Sequence, residues 1–244
     1  MRVNWWYIKI ALLVLLIGFL FGFTKERNNA RNLVGIDIEF TDENEPFITI
    51  DAVNKLLIQK EAKVTSIVKE TLVLNEMEQR LLDNPMIRNA EVFVTVDGIL
   101  GARIEQRNPI ARVAASPDYY LDEDGETMPL SNVYTARVPL VTGFSRTNFK
   151  EIVPLILEVE KDEFMKRCVV GLHVERDGSV ILRLRKHELD VNFGQPTHIA
   201  RKFQNFKAFY KKTKDDNLIN SYTSVDLEFG NQVVATKNND HGTR

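Results

Sequence analysis

Residues 84 to 109 constrain the fold of this chain more than any other stretch. Asn84-Pro85 closes whatever helix precedes it, because proline has no N–H to continue the ladder and biases the residue before it away from helix. From Ala90 the apolar residues fall into period two. Ala90, Val92, Val94 and Val96 face one way, and Glu91, Phe93 and Thr95 face the other. Asp97-Gly98 reads as a two-residue hairpin turn of type I′, which needs positive φ at both central positions. The return strand sets Leu100, Ala102 and Ile104 against Arg103 and Glu105, and the stretch leaves at Asn108-Pro109. Just upstream, Asn75 reads as a helix N-cap with Glu78 as its capping-box partner.

Earlier still, Val34, Ile36, Ile38 and Phe40 alternate with Gly35, Asp37 and Glu39, which predicts a strand. Thr49 caps a helix that runs to about Ile58, with Val53, Leu56 and Leu57 as its buried side and Ile48 against Val53 as a staple. Lys60 to Leu74 reads as a strand or an extended connector. The order strand, helix, helix, strand, strand over residues 34 to 107 makes a small α+β unit.

The chain opens differently. Ile10 to Phe23 is apolar throughout except for two glycines, and Trp5, Trp6 and Tyr7 precede it as an interfacial belt. Counted from Trp5 this is one bilayer's worth of helix, since about 20 residues are needed. Lys9 lies near one end, where its stem reaches the headgroups. Thr24-Lys25-Glu26-Arg27 follows with no small-residue cleavage pattern, so a retained transmembrane helix over residues 5–23 is expected. Residues 24–33 read as a polar linker. Arg2 precedes the apolar core, while Lys25, Arg27 and Arg31 follow it. Charge alone therefore does not orient the helix for export of the bulk of the chain, although long domains translocate regardless of flanking charge.

Beyond Pro109 the chain is dominated by hairpin signals. Tyr119 to Gly125 ends in a second Asp-Gly turn, Val138 to Gly143 is a short strand and loop, and residues 148–166 have helical character with Ile152, Leu155, Ile156 and Val159 on one side. Val170, Leu172 and Val174, a third Asp-Gly turn at Asp177-Gly178, Val180, Leu182 and Leu184, and then Leu189, Val191 and Phe193 give three more strands. Pro196 to Lys212 is helical, with Ile199, Phe203, Phe206 and Tyr210 inside and Arg201, Lys202, Lys207, Lys211 and Lys212 outside. A last hairpin joins Val225 to Phe229 with Gln232 to Thr236 across Gly230-Asn231, and residues 237–244 are a polar tail.

The side chains that carry chemistry are scattered. The four histidines (173, 187, 198 and 241) lie on separate elements, and Cys168 is the sole thiol, so no metal set, Cys/His pair or intrachain disulfide is expected. Asp122-Glu123-Asp124 reads as a hairpin tip, not a carboxylate site. With a net charge of -2 and the lysines of residues 207–212 on a solvated helix face, nucleic acid is not an expected partner. No catalytic residue, cofactor or small-molecule substrate is expected, and function is sought in surfaces. The last hairpin falls where a sheet edge could be left open to an incoming strand, with Tyr222, Phe229, Val233 and Val234 as its apolar contacts.

Several motifs resemble the FtsQ/DivIB family of bacterial division proteins. Glu105, Arg107, Pro109 and Ala111 are similar to that family's E-x-R-x-P-x-A exit, Asp122 and Gly125 to its I-D-x-x-G turn, and Val138 to Gly143 to its proline–glycine strand. Val191-Asn192-Phe193-Gly194 with Lys202-Phe203, and Val225-Asp226-Leu227 leading to Gly230-Asn231-Gln232-Val233-Val234, resemble its closing motifs. Glu228 departs from the pattern, standing where many members carry a basic residue. The resemblance implies a cytoplasmic tail at 1–4, an inner-membrane helix, a POTRA domain at 34–108 and a C-terminal β domain at 109–236, the last two periplasmic. It further implies a non-enzymatic divisome scaffold concentrated at the septum, with FtsB/DivIC and FtsL as partners. The partner surface it implies comprises Tyr222, Val225, Leu227, Phe229, Gly230, Gln232, Val233, Val234 and Ala235. Two other roles compete with this one: a POTRA-containing adaptor of secretion or outer-membrane assembly, and a membrane-anchored envelope hydrolase.

Overall fold

The computed structural model describes residues 5–29, 33–41, 46–58, 73–146, 149–230 and 232–238. It divides into two compact units, Met1–Gln106 and Arg107–Arg244.

The first unit begins with helix α1 (Trp5–Asn29), which continues past the end of the apolar run at Phe23 into the stretch expected to be a linker. Leu12, Leu15, Phe19 and Phe21 project from it and are each more than 60% exposed. The side chains of Tyr7 and Ile8 lie outside the description, and among the described residues no helix is long and apolar enough to cross a membrane. Strand β1 (Gly35–Phe40), helices α2 (Ile50–Leu57) and α3 (Leu74–Leu82), and strands β2 (Ile87–Val94) and β3 (Ile99–Gln106) follow in the expected order. The sheet runs β1-β3-β2, with β1 parallel and β2 antiparallel to the central β3. Each helix buries an i, i+4 pair, Val53 with Leu57 and Met77 with Leu81, and Ile87, Leu100 and Ile104 of the sheet are buried too. Thr49 caps α2 as expected, its hydroxyl oxygen accepting the Ala52 N–H at 3.1 Å. Most of the 60–74 connector lies outside the described residues.

Three local expectations fail here. Helix α3 starts one residue before Asn75, with Val73 as its N-cap and no side-chain cap, so the capping box does not form. Glu78 instead accepts the Val92 N–H of β2 at 3.4 Å and ties the helix to the sheet. Val96 is not a core residue but a turn residue, 79% exposed. The Asp-Gly turns are not type I′ either. Only Gly98 has positive φ (92°), and its N–H donates to Thr95 O, while Thr95 N–H donates to Ile99 O. This is a three-residue loop, a tight turn followed by a left-handed glycine. Glu123-Asp124-Gly125 and Arg176-Asp177-Gly178 repeat the same pair of bonds, with φ of 74° and 85° at the glycines. The aspartate takes the middle of each turn, so glycine alone meets the left-handed requirement.

The second unit is one nine-stranded sheet in the order β12-β11-β10-β9-β8-β7-β4-β5-β6. Its strands are β4 (Pro109–Val113), β5 (Tyr119–Asp122), β6 (Thr127–Pro129), β7 (Leu140–Gly143), β8 (Val169–Val174), β9 (Val180–Leu184), β10 (Asp190–Gly194), β11 (Tyr222–Asp226) and β12 (Val234–Lys237). Helices α4 (Val153–Lys161) and α5 (Glu163–Cys168) come from the single helical stretch expected over 148–166. Asp162 splits them, ending α4 and accepting the Phe164 and Met165 N–H groups at 3.1 Å as the cap of α5. Helix α6 (Ile199–Asp215) crosses between the parallel neighbours β10 and β11 and buries Phe203 and Phe206 in the common core.

Candidate functional site

Strand β12 pairs with β11 on one side and, among the described residues, with nothing on the other. The direction of its backbone groups follows from two bonds. Leu227 N–H donates to Asn192 O across the β10–β11 seam, and Asn238 N–H donates to Ser221 O. Because N–H groups alternate along a strand, those of Ser224, Asp226, Val234 and Thr236 point into the β11–β12 ladder. The N–H and C=O of Ala235 point outward from the sheet. An outward-facing backbone residue on an edge strand is a template for strand addition.

The residues expected on this surface divide into three groups. Phe229 is 50% and Val234 is 44% exposed, and Gly230 and Gln232 are exposed with them. Tyr222, Val233 and Ala235 are half-buried and pack against the core. Val225 and Leu227 are wholly buried and offer no contact to a partner; the alternation of β11 turns Val225 inward, and Leu227 follows it onto the same face. The segment between the two strands is longer than the two-residue Gly230-Asn231 turn expected. It runs from residue 227 to 233, with Asn231 outside the described residues. Asn205 of α6 pins it by donating to Gly230 O at 3.2 Å.

Lys202 supports this corner and was missed as a core residue. It lies among the lysines and arginines of the outer face of α6, yet it is buried. Its Nζ donates to Phe193 O at 2.6 Å and Gln195 O at 2.8 Å and sits 4.5 Å from the Phe193 ring centroid. Burial pulls the ammonium below its ordinary pKa, and the Glu228 carboxylate pulls it back. A Cβ at Gly194, whose φ is 69°, would fall 2.3 Å from the Glu228 side chain. Gly194 and Lys202 therefore fix the end of β10, beside Glu228. The sequence signal for Lys202 was its place with Phe203 in a motif resembling the family's, one step from the apolar stripe. Lys207 is only half-buried, and it forms an ion pair with Asp162.

Two comparisons with known proteins bear on this site. Residues 33–105 match the POTRA-like domain model, and residues 108–236 match the model described as FtsQ/DivIB, C-terminal related. The chain belongs to the FtsQ/DivIB family. Cell division protein FtsQ of Geotalea daltonii is 23% identical over 179 residues, which cover 68% of this chain and 64% of that relative. The match thus spans less than two thirds of the relative's length.

The FtsQ/DivIB exit motif has a physical basis in this structure. Glu105 is half-buried and pairs with Arg88 at 3.3 Å. Arg107 reaches Asp122 at 2.7 Å, and the Asp122 side chain is only 2% exposed. The second oxygen of Asp122 accepts the Asp124 and Glu126 N–H groups, so one carboxylate holds both the guanidinium and the β5–β6 turn. Pro109 opens β4, and Ala111 is wholly buried in the core behind it. Asp122 is thus a buried structural anchor and not an exposed tip.

Among the described residues no three His, Cys, Asp or Glu side chains stand where they could hold a metal ion. His173 Nδ1 bonds the Thr142 hydroxyl at 2.9 Å, and His187 bridges Asn220 and the Tyr210 hydroxyl. Of the residues expected to form an interfacial belt, Trp5 and Trp6 are exposed, and Lys9 lies 5.7 Å from the Trp5 ring centroid.

Proposed function

We propose that this chain is a bitopic inner-membrane scaffold of the bacterial divisome that binds FtsB/DivIC and FtsL homologues through its extracytoplasmic part, coordinating septal wall synthesis with no catalysis of its own. Family membership supports the division role, as does the likeness to a protein named cell division protein FtsQ. The observation that carries the partner reading is the outer edge of β12, with Ala235 facing outward and Phe229 and Val234 beside it. Added backbone bonds supply affinity, and the two exposed apolar side chains supply contact area. The POTRA-type unit, residues 34–108, is the second docking surface in this reading, and residues 109–236 form the C-terminal β domain.

Membrane anchoring rests on α1. Its 25 residues give about 37 Å of helix. The stretch from Ile10 to Phe23 carries no charge and is exposed around the whole circumference. A helix apolar on every side has no favourable contact with water and fits a lipid environment. We place residues 1–4 in the cytoplasm, the span over 5–23, and the remainder on the outer side.

The test uses the full chain in detergent with the extracytoplasmic segment of the cognate FtsB/DivIC homologue. Binding at micromolar concentration is expected. Phe229→Lys and Val234→Lys should each weaken it roughly tenfold, about 1.4 kcal/mol, with unchanged melting. No complex at that concentration overturns the reading, as does a fluorescent fusion that stays evenly around the envelope instead of gathering at midcell.

A further inference from the structure

A second site lies away from β12. Phe164, Arg167 and Cys168 of α5, Leu184 of β9, Arg185 to His187 beyond it, and Tyr210 and Lys214 of α6 enclose a cleft of about 300 Å³. Four cations (Arg167, Arg185, Lys186 and Lys214) line it, and none has a carboxylate partner among the described residues. The chain as a whole carries a net charge of -2, so this concentration of positive charge is a local feature.

The two arginines are held in place. Arg167 Nε donates to Glu163 O at 3.0 Å, and Arg185 Nε donates to Arg167 O at 3.3 Å. Each guanidinium is thereby fixed through its inner nitrogen, and its two terminal nitrogens stay free to form a fork. Pre-positioned forks lose little entropy on meeting a planar or tetrahedral oxyanion. The polar floor is also fixed: His187 Nδ1 meets Asn220 Oδ1 at 2.9 Å, and His187 Nε2 meets the Tyr210 hydroxyl at 3.1 Å. The thiol of Cys168 senses all four cations. Burial pushes it up, against the downward pull of Arg167, Lys186, Lys214 and Arg185.

We propose that this cleft binds a phosphate or pyrophosphate group, through the guanidinium forks of Arg167 and Arg185 with Lys186 and Lys214 completing the charge. Four unpaired cations around so small a volume exceed what a single carboxylate neutralises and match a multiply charged phosphoryl group. The group is a lipid headgroup or a free anion. The site is independent of the partner edge, so either can fail alone.

Cys168 is the chain's one cysteine, so its labelling reports on this cleft alone. The full chain in detergent is treated with a maleimide at constant ionic strength. Inorganic pyrophosphate at about nine times its dissociation constant should slow labelling about tenfold. Chloride should not slow it. Arg167→Gln/Arg185→Gln should abolish the protection, while Lys211→Gln/Lys212→Gln, an equal loss of charge elsewhere on α6, should keep it. Protection in phosphatidylglycerol nanodiscs without added pyrophosphate, and not in phosphatidylcholine alone, identifies a headgroup source. Protection by soluble pyrophosphate only identifies a free anion. The proposal fails if pyrophosphate gives no protection or if both double variants lose it equally. It also fails if a poly-glutamate peptide of matched charge protects as well, which would make the cleft a dock for acidic protein segments.

Discussion

The nine-stranded sheet has two ends, and they are built in opposite ways. At one end β6 is three residues long and includes Pro129, which cannot donate to an added strand. The chain beyond it is lashed back, with the Val133 N–H on the Ser131 hydroxyl and the Ala136 N–H on the Tyr120 hydroxyl at 3.1 Å. The turn leading into β6 is held by Asp122 and its Arg107 partner. At the other end β12 has no proline, and its outward backbone is flanked by exposed Phe229 and Val234. Its one charge, Lys237, is at the far end, 5.9 Å from the Tyr222 ring centroid. Edge strands are hazards that proteins ordinarily blunt. Here one edge is blunted while the other is, among the described residues, unpaired, and that asymmetry supports the proposed strand addition at β12.

The contrast yields a graded set of tests. Asp122→Ala should be the most damaging, because it strands the Arg107 guanidinium and frees the β5–β6 turn. Breaking such a pair costs about 3–5 kcal/mol, to be read in a thermal melt of the second unit. Lys202→Met should remove the donors to Phe193 O and Gln195 O and cost about 1–3 kcal/mol, measured in the same way. If it costs nothing, Lys202 does not support the β12 corner. Ala235→Pro is the sharpest test of the open edge. It removes an outward N–H while leaving every ladder bond to β11, so partner affinity should fall about tenfold, near 1.4 kcal/mol, with melting close to wild type. Unchanged affinity would mean that the partner does not add a strand here. The smallest effect concerns Asp162. Burial raises its carboxyl, but the Lys207 ammonium and the Met165 and Phe164 N–H groups outweigh burial and hold it below the ordinary 3.8. Its contribution is therefore full above that value and lost as pH falls below it. Asp162→Asn should flatten that acid limb of a denaturation series.

Much of the architecture was legible in the sequence because periodicity reports burial. The alternation of Leu100, Ala102 and Ile104, of Val180 and Leu182, and the stripe of Ile152, Leu155, Ile156 and Val159 all became core. What failed was local chemistry with near-equal alternatives. Asp-Gly fits two hairpin loops, and one extra residue in the loop decides between them. Asn75 lost the capping position because α3 begins one residue before it, and Glu78 found a better donor on β2. Lys202 is a longer-range failure. Its ammonium is satisfied by carbonyls at the end of β10, which no window along α6 can reveal. Val225 and Leu227 were misread in the same way: a motif gives the address of a surface but does not say which of its residues face out.

The parallel seam between β10 and β11 has a consequence for biogenesis. Strands that run the same way cannot close as a hairpin, so β11 reaches its place beside β10 only through the seventeen-residue crossover of α6. Among the described residues, strand β12 pairs with β11 alone and so depends on that crossover too. In the proposed reading, the edge that a partner would use is therefore displayed only once the crossover and the last hairpin are both complete.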